Sequence, residues 1–291
     1  MAKVLVIIVS WSAKKWIRKC LNSVEGSSLP ADVLLIDNGS TDGTLTLVRK
    51  EFPAVRILEM EDNLGFGAAN NRGLRIALDE GYPFAYLLNQ DAWLEADTLE
   101  RLVAAHKPEW GILSPMQLDA RGRRDKRFDK KCGKYIDPAL SGYHSDSLVV
   151  EVPFVMAAHW LLSRRAIETV GGFSPAFRQY GEDDNWIDRL HWHSLRCGVV
   201  PAARAVHDRA GRRPSREKRM ELKCIATVVK VSDPNRNWTW MKVREVLELV
   251  GMGIKNFSRI PWKYIPVLRG RFPELARLRA ESTKKGAFLP E

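Results

Sequence analysis

Through the first half of the chain, solid apolar runs alternate with stretches whose apolar residues recur at helical spacing. Residues 4–9 form an unbroken aliphatic run, the pattern of a strand buried on both faces. Ser10-Trp11-Ser12 breaks it. Trp16, Ile17, Cys20, Leu21 and Val24 then fall on one helical stripe, with Lys and Arg between them. Residues 33–37 predict a second buried strand that ends in an acid, and 38–43 a turn of residues tolerant of unusual backbone angles. A helix over 44–52 and a third strand over 55–58 follow. The stretch 63–73 opens a helix that runs to about Glu80, before a strand over 84–89, a helix over 97–106 and a strand over 111–116. This alternation predicts an α/β fold with a doubly wound, mainly parallel sheet and helices on both faces. Three of its strands end in polar residues, at Ser10, at Asp37 and at Asn89 with Asp91. In open α/β sheets such ends converge on one edge, where ligands bind.

Beyond residue 118 the pattern changes. Residues 119–134 hold eight Lys/Arg and three Asp and read as an exposed loop or hairpin. Apolar character returns over 150–162. A short helix over 164–170, a turn over 171–175, a helix over 182–196 and a last strand over 199–206, ending at His207-Asp208, complete this part. The remainder reads as helices with basic faces, punctuated by Pro214, Pro234, Pro261, Pro266 and Pro273.

Charge divides the chain at the same place. Residues 1–210 hold 27 basic and 27 acidic residues, whereas 211–291 hold 19 and 8, so the tail carries the whole net charge of +11. A neutral body over 1–210 and a basic, mainly helical extension over 211–291 are expected, the second in contact with something anionic. Trp238, Trp240 and Trp262 interleave with Lys and Arg there. Cationic helices with interfacial aromatics suit an anionic membrane surface, and no nucleic acid is expected. The competing expectation is a tail packed on the body with a solvated basic face. Four cysteines stand far apart with no Cys-x-x-Cys pair, which argues against zinc or a redox dithiol and for a reducing compartment. The first apolar run is too short for a signal peptide, and none approaches the roughly 18 residues of a membrane span. The expected location is cytoplasmic, peripheral on the inner membrane face.

Acidic groups stand at predicted element ends: Asp37, Asp91 and the trio Glu182, Asp183 and Asp184, with His207 beside them in kind. Together they describe a site for a metal-bound diphosphate with a spare carboxylate. Asp37 can accept from a nucleobase or ribose. Asp91 can bind Mg²⁺ or Mn²⁺ through oxygen, and a His207 nitrogen favours Mn²⁺. Glu182 with Asp183 can supply a general base, since neighbouring acids push one pKa upward. Each also has a structural reading: Asp37 as the cap of the helix at Thr44, the acidic trio as partners of a helix dipole, and His207 as a satisfied strand-end residue. Gly65-Phe66-Gly67 lacks the third glycine of a dinucleotide loop, and Asn70, Asn71 and Arg72 fit phosphate or sugar contacts better. Trp93, Trp160, Trp186 and Trp192 are candidates for stacking on sugar rings, against a core role.

The segments IIVSW, CLNSV, LLIDNGSTDGT, NLGFGAANNRG, LLNQDAW, GGFSPAF, YGEDDNWIDRL and AVHD occur in that order. In them, residues 3–208 resemble the inverting family-two glycosyltransferases with a GT-A fold, of the bacterial rhamnosyltransferase type. The resemblance implies transfer of a sugar from a nucleoside-diphosphate donor, dTDP- or UDP-linked, dTDP-rhamnose among them. The implied acceptor is a saccharide or lipid-linked saccharide of surface polysaccharide assembly, and the cofactor a divalent cation. It implies that Asp37 contacts the donor's pyrimidine, and that Asn38, Asn63, Gly67 and Asn70 line the nucleotide pocket. Asn89-x-Asp91 stands for the Asp-x-Asp motif with Asp91 at the metal, His207 is a metal or diphosphate ligand, and Asp183 is the base beside Glu182. Trp93, Trp160 and Trp186 are the acceptor-side candidates. Two departures stand out: Asn89 replaces the first acid of the motif, and Ser10-Trp11-Ser12 replaces a Thr-Tyr-Asn-like segment. The alternatives are a nucleotide-sugar-binding protein without activity, and transfer to a polyprenyl phosphate.

Overall fold

A computed structural model describes residues 3–142, 148–209 and 214–291. The expected boundary between 210 and 211 lies outside the described residues. The order is β1 (Val4–Ser10), α1 (Ile17–Glu25), β2 (Asp32–Asp37), α2 (Thr44–Glu51), β3 (Arg56–Glu59), α3 (Phe66–Asp79), β4 (Phe84–Asn89), β5 (Ala92–Leu94), α4 (Thr98–Ala105) and β6 (Trp110–Leu118). Next come α5 (Lys126–Phe128), a π-turn (Asp129–Gly133), α6 (Lys134–Gly142), β7 (Val150–Glu151), β8 (His159–Ser163), α7 (Arg164–Val170), α8 (Glu182–Trp192) and β9 (Arg196–His207). Four helices close the chain: α9 (Arg216–Ser232), α10 (Trp238–Lys255), α11 (Arg259–Gly270) and α12 (Phe272–Ser282).

Among the described residues the strands form one nine-stranded sheet in the order β3-β2-β1-β4-β8-β6-β9-β5, with β7 beside β9. β3, β2, β1 and β4 are parallel, so Ser10, Asp37 and Asn89 leave the sheet at the same edge. β8 enters antiparallel between β4 and β6, and β9 returns His207 to lie opposite Ala92 on β5. The period of two along β1 sends Val4, Val6 and Ile8 to one face and Leu5 and Ile7 to the other. The first face packs on α1, α2 and α4, the second on α3, α7 and α8.

Two segments differ from the sequence reading. Residues 119–134 are not simply an exposed loop: after a tight turn bridging Leu118 and Arg124, the chain enters α5 and the π-turn, burying Phe128 and Cys132 in the main core. The cations mask this, because two apolar residues four apart suffice to seat a short helix. α8 ends at Trp192 rather than near 196, because Ser194 turns to φ 58 and sends the chain straight into β9.

The C-terminal helices have an apolar core of their own, with Cys224, Val228, Met241, Leu249, Leu268 and Leu275, which meets the body through Ala176 and Phe177. They are also laced to it by backbone. Gly172 donates to the Ala287 carbonyl at 2.8 Å and Gly286 to that of Thr169 at 3.2 Å. The fully buried Arg189 donates to the carbonyls of Gly172, Val170 and Ser282. Among the described residues, no helix is long and apolar enough to cross a membrane.

Candidate active site

The polar edge of the parallel strands opens on a cleft with two lobes. The first, about 670 Å³, is lined by Trp11, Asn38, Asn63, Gly65, Gln90, Asp91 and Arg178, and by Ile225, Val228, Tyr264 and Arg271 from the C-terminal part. The second, about 550 Å³, is lined by Arg127, Ala157, Glu182, Asp183, His207 and Arg209, with Pro214, Lys218 and Leu222. Phe66, Asn89, Gln179 and Tyr180 line both. Tyr180 and Gly181 adopt φ of 70° and 91° in succession, and Tyr180 is held there as a non-glycine residue beneath Lys218. Such backbone clusters at sites where a side chain must be presented.

Asp37 is buried and engaged by its own neighbourhood. Its Oδ1 accepts from Ser10 Oγ at 2.7 Å and Ser40 Oγ at 2.5 Å, and its Oδ2 from the Ser40 amide at 2.8 Å. The N-cap of α2 is Gly43, and the residue before it, Asp42, accepts from Thr44 N and Oγ1. It is Asn38 that faces the first lobe, with Oδ1 buried and without a hydrogen-bond partner among the described residues. Asn63 turns the next loop by accepting from the Gly65 amide at 2.8 Å. Gly65 has φ 83, and a Cβ there would sit 2.4 Å from the Arg178 carbonyl oxygen. Glycine is what lets the two walls of this lobe touch.

Asp91 and His207 meet where β5 and β9 pair, with Asp91 Oδ2 3.4 Å from His207 Nε2. Arg209 Nε donates to His207 Nδ1 at 3.1 Å, which leaves the neutral ring's proton on Nε2, toward Asp91. Burial lowers the His207 pKa and the hydrogen bond to Asp91 opposes it. Behind it the fully buried His159 bridges Tyr86 OH and the Val206 carbonyl, and burial depresses its pKa to about 3. His159 is therefore a neutral prop for His207. With Arg209 on Nδ1 and the proton on Nε2 the ring presents no lone pair, so Asp91 and His207 suit a cation only in the tautomer that carries its proton on Nδ1, with Arg209 released; a diphosphate would then supply the remaining ligands. No group of three protein ligands exists among the described residues.

Opposite stand the acids of the first turn of α8, where the helix dipole favours negative charge. Burial raises the pKa of Asp183, and the Asp184 amide, donating to its Oδ1 at 2.9 Å, opposes the rise. Burial, then the charge of Asp183, pushes Glu182 up to about 8. Asp184 rises to about 7 for the same two reasons. Asp183 faces the second lobe together with His207 and the cations Arg127, Arg209 and Lys218.

Several sequence candidates lie elsewhere. Trp160 and Trp186 do not reach the cleft: both are fully buried, Trp160 stacked on Phe173 with its Nε1 donating to Val155 O, and Trp186 donating to Gly171 O. Trp93 packs partly buried against the core under Lys19, and Trp192 is exposed beside Pro234 and Trp238. Gly67 is a packing glycine against Phe173. Asn70 bonds back to the Phe66 carbonyl, and Asn71 clasps Phe173 and the Phe288 carbonyl. Sequence reasoning missed Gln179, Tyr180, Arg127, Arg209, Lys218, Tyr264 and Arg271. Two of them carried a local signal: Tyr180, which begins the segment YGEDDNWIDRL, and Arg209, two residues past His207.

A sequence profile described as Glycosyl transferase family 2 matches residues 5–171. An N-acetylglucosaminyl-diphospho-decaprenol L-rhamnosyltransferase of Mycobacterium tuberculosis is 28% identical over 263 residues, 80% of this chain and 85% of that protein. Among solved structures, S. aureus TarS aligns with a TM-score of 0.57 and 18% identity over 89% of this chain, which spans only 44% of TarS. Mannosyltransferase PcManGT of Pyrobaculum calidifontis, in complex with GDP-Man and Mn²⁺, aligns with a TM-score of 0.56 and 19% identity over 96% of this chain and 73% of its own.

Proposed function

This chain belongs to glycosyl transferase family 2 and is a glycosyltransferase with a GT-A fold, and from that premise we propose an inverting transfer with Asp183 as its base. The donor is a nucleoside-diphosphate sugar, with dTDP-rhamnose the first choice given the rhamnosyltransferase relative. The acceptor is a hydroxyl of a saccharide carried on a lipid diphosphate in surface polysaccharide assembly. The observation that carries this reading is the shared second lobe. Asp183 lines it together with His207, and Asn89 opens it to the lobe of Asp91, Asn38 and Asn63.

In this reading the nucleoside occupies the first lobe, against Trp11, Asn38 and Arg178, and its diphosphate reaches Asp91 and His207. Those two residues would hold a divalent cation, which when bound supplies positive charge to the departing diphosphate. An acceptor hydroxyl in the second lobe donates its proton to the Asp183 carboxylate as its oxygen forms the new bond to the anomeric carbon. The diphosphate leaves from the opposite face, so one displacement inverts the configuration, as in hydrolases whose base activates water. Asp183 must be ionised to accept the proton. The first-turn dipole and the Asp184 amide favour that form, while burial keeps the carboxylate basic. Arg127, Arg209 and Lys218 supply the positive field that an acceptor bearing a diphosphate needs.

The test is transfer from dTDP- and UDP-sugars to a prenyl-diphosphate-linked saccharide, with the product's anomeric configuration read by NMR. Inversion is expected, and a product of retained configuration overturns the single displacement.

A further inference from the structure

Of the twelve large apolar residues exposed on the described surface, seven fall between residues 240 and 267, on α10, α11 and the turn between them. On α10 these are Trp240, Val243, Leu247 and Ile254. At helical geometry they occupy an arc of about 60°. The opposite side of the same helix is spent on the tail's core through Met241 and Leu249. Among the described residues this outer stripe is left more than half exposed.

The turn makes the pattern sharper. Phe257 is 96% exposed and holds φ at 47°. An aromatic side chain kept in the left-handed region, and left almost bare by the described residues, loses on both counts within the isolated chain. On α11 the outer side continues with Trp262 and Val267. Charge completes the surface: from Val250 to Arg271 there are five basic residues and no acidic one. Lys255, Arg259 and Lys263 flank Phe257 and Trp262 directly.

We propose that the α10–α11 hairpin is a membrane-docking surface, with Phe257, Ile254 and Leu247 inserted into the outer layer of an anionic bilayer and Lys255, Arg259 and Lys263 at its headgroups. Exposed apolar residues ringed by cations, with a tryptophan at the rim, match the interface of an anionic bilayer. A second copy of the chain matches less well, because it would bring the same cations face to face. The inner side of α11 carries Tyr264 into the first lobe of the cleft, and Arg271 follows it there. Docking therefore sets the lobe at a fixed height over the bilayer. The surface stands on these residues alone and does not require the donor or acceptor named above.

The experiment is cosedimentation of the full chain with vesicles of phosphatidylcholine alone and with vesicles one-third phosphatidylglycerol, at low and high salt. Binding is expected on the anionic vesicles and should weaken with salt. Leu247→Asp combined with Phe257→Asp should weaken it by at least about tenfold, the loss of two apolar side chains from the interface. Lys255→Glu with Arg259→Glu should remove the preference for phosphatidylglycerol. Both positions of the apolar variant are exposed, and an unchanged melting temperature confirms that it folds. Calorimetric affinity for dTDP and UDP should not change, which separates failure of docking from failure of the catalytic reading. Wild-type protein that ignores anionic vesicles overturns the proposal. So does sedimentation velocity showing a dimer that Leu247→Asp dissolves.

Discussion

Replacing Glu182 by Gln should stabilise the protein in alkaline buffer and change it little in acid. Glu182 is 9% exposed and its Oε2 has no hydrogen-bond partner among the described residues. Burial and the charge of Asp183 raise its pKa from the ordinary 4.5 to about 8. In the unfolded chain the carboxyl ionises at its ordinary value, so between those two pH values folding takes up a proton. The unfolded state binds fewer protons there, and stability falls as pH rises through the window and levels off above it. Across the whole span the loss is about 5 kcal/mol, at about 1.4 kcal/mol for each tenfold change in proton activity. An unfolding entropy of about 2.1 cal/mol/K per residue turns that into roughly 8 °C of melting temperature for a chain of this length. Gln keeps the shape and carries no such proton. Scanning calorimetry of both proteins from about pH 5 to about pH 9 reads the difference directly, as a gap that opens with pH. Curves that stay parallel would refute the claim that this carboxyl is buried at a cost.

Asp183→Asn should lower kcat by about two orders of magnitude or more while leaving donor affinity intact; near-normal turnover rejects Asp183 as the base. Because burial raises the Asp183 pKa, the acid limb of the pH–kcat/KM profile should fall above the ordinary aspartate range, with activity rising as the carboxylate loses its proton. A limb at or below the ordinary range counts against it. Asp91→Asn should weaken calorimetric donor binding in Mn²⁺ and have little effect in a chelator, and equal losses in both would show that Asp91 does not serve the cation. Arg189→Met leaves the carbonyls of Val170, Gly172 and Ser282 without their shared donor and should cost about 3 kcal/mol or more in urea unfolding. An unchanged midpoint would show that the buried guanidinium contributes nothing there.

What could be read from the sequence is what local order encodes. The run at β1 and the acid-tipped run at β2 announce parallel strands, since alternating burial on two faces leaves no room for polar residues until the edge. The acids at the start of α8 were legible for the same reason: a Gly-Glu-Asp-Asp start is a statement about one turn of backbone. Trp160 and Trp186 were misplaced because a tryptophan's type says nothing about whether its ring faces a core or a cleft. Trp160 pairs with Leu87 across β8 and β4, and that register puts its ring on the sheet face that holds Phe173. Tyr264 and Arg271 were invisible because their place in the first lobe depends on how a separate helical core folds back over the sheet edge. Asp37 is a subtler case. Its strand-end position was evident, but the two serines that occupy its carboxylate, and leave Asn38 to face the cleft, come from the end of β1 and from the turn after β2.

The lacing of residues 286–289 to the turn at Gly171 and Gly172 has a consequence for biosynthesis. The helix bearing Asp183 is seated through Trp186 and Arg189, whose partners include the carbonyls of Gly171 and Gly172 and, for Arg189, Ser282 and the ring of Phe288. A ribosome makes that helix about a hundred residues before it makes its braces, at roughly 5–20 residues per second. For those seconds a nascent chain can own a finished sheet while the helix that carries Asp183 still lacks these braces. Firm seating of that helix is therefore expected only once residues 282–289 have left the exit tunnel and can supply their contacts to Arg189.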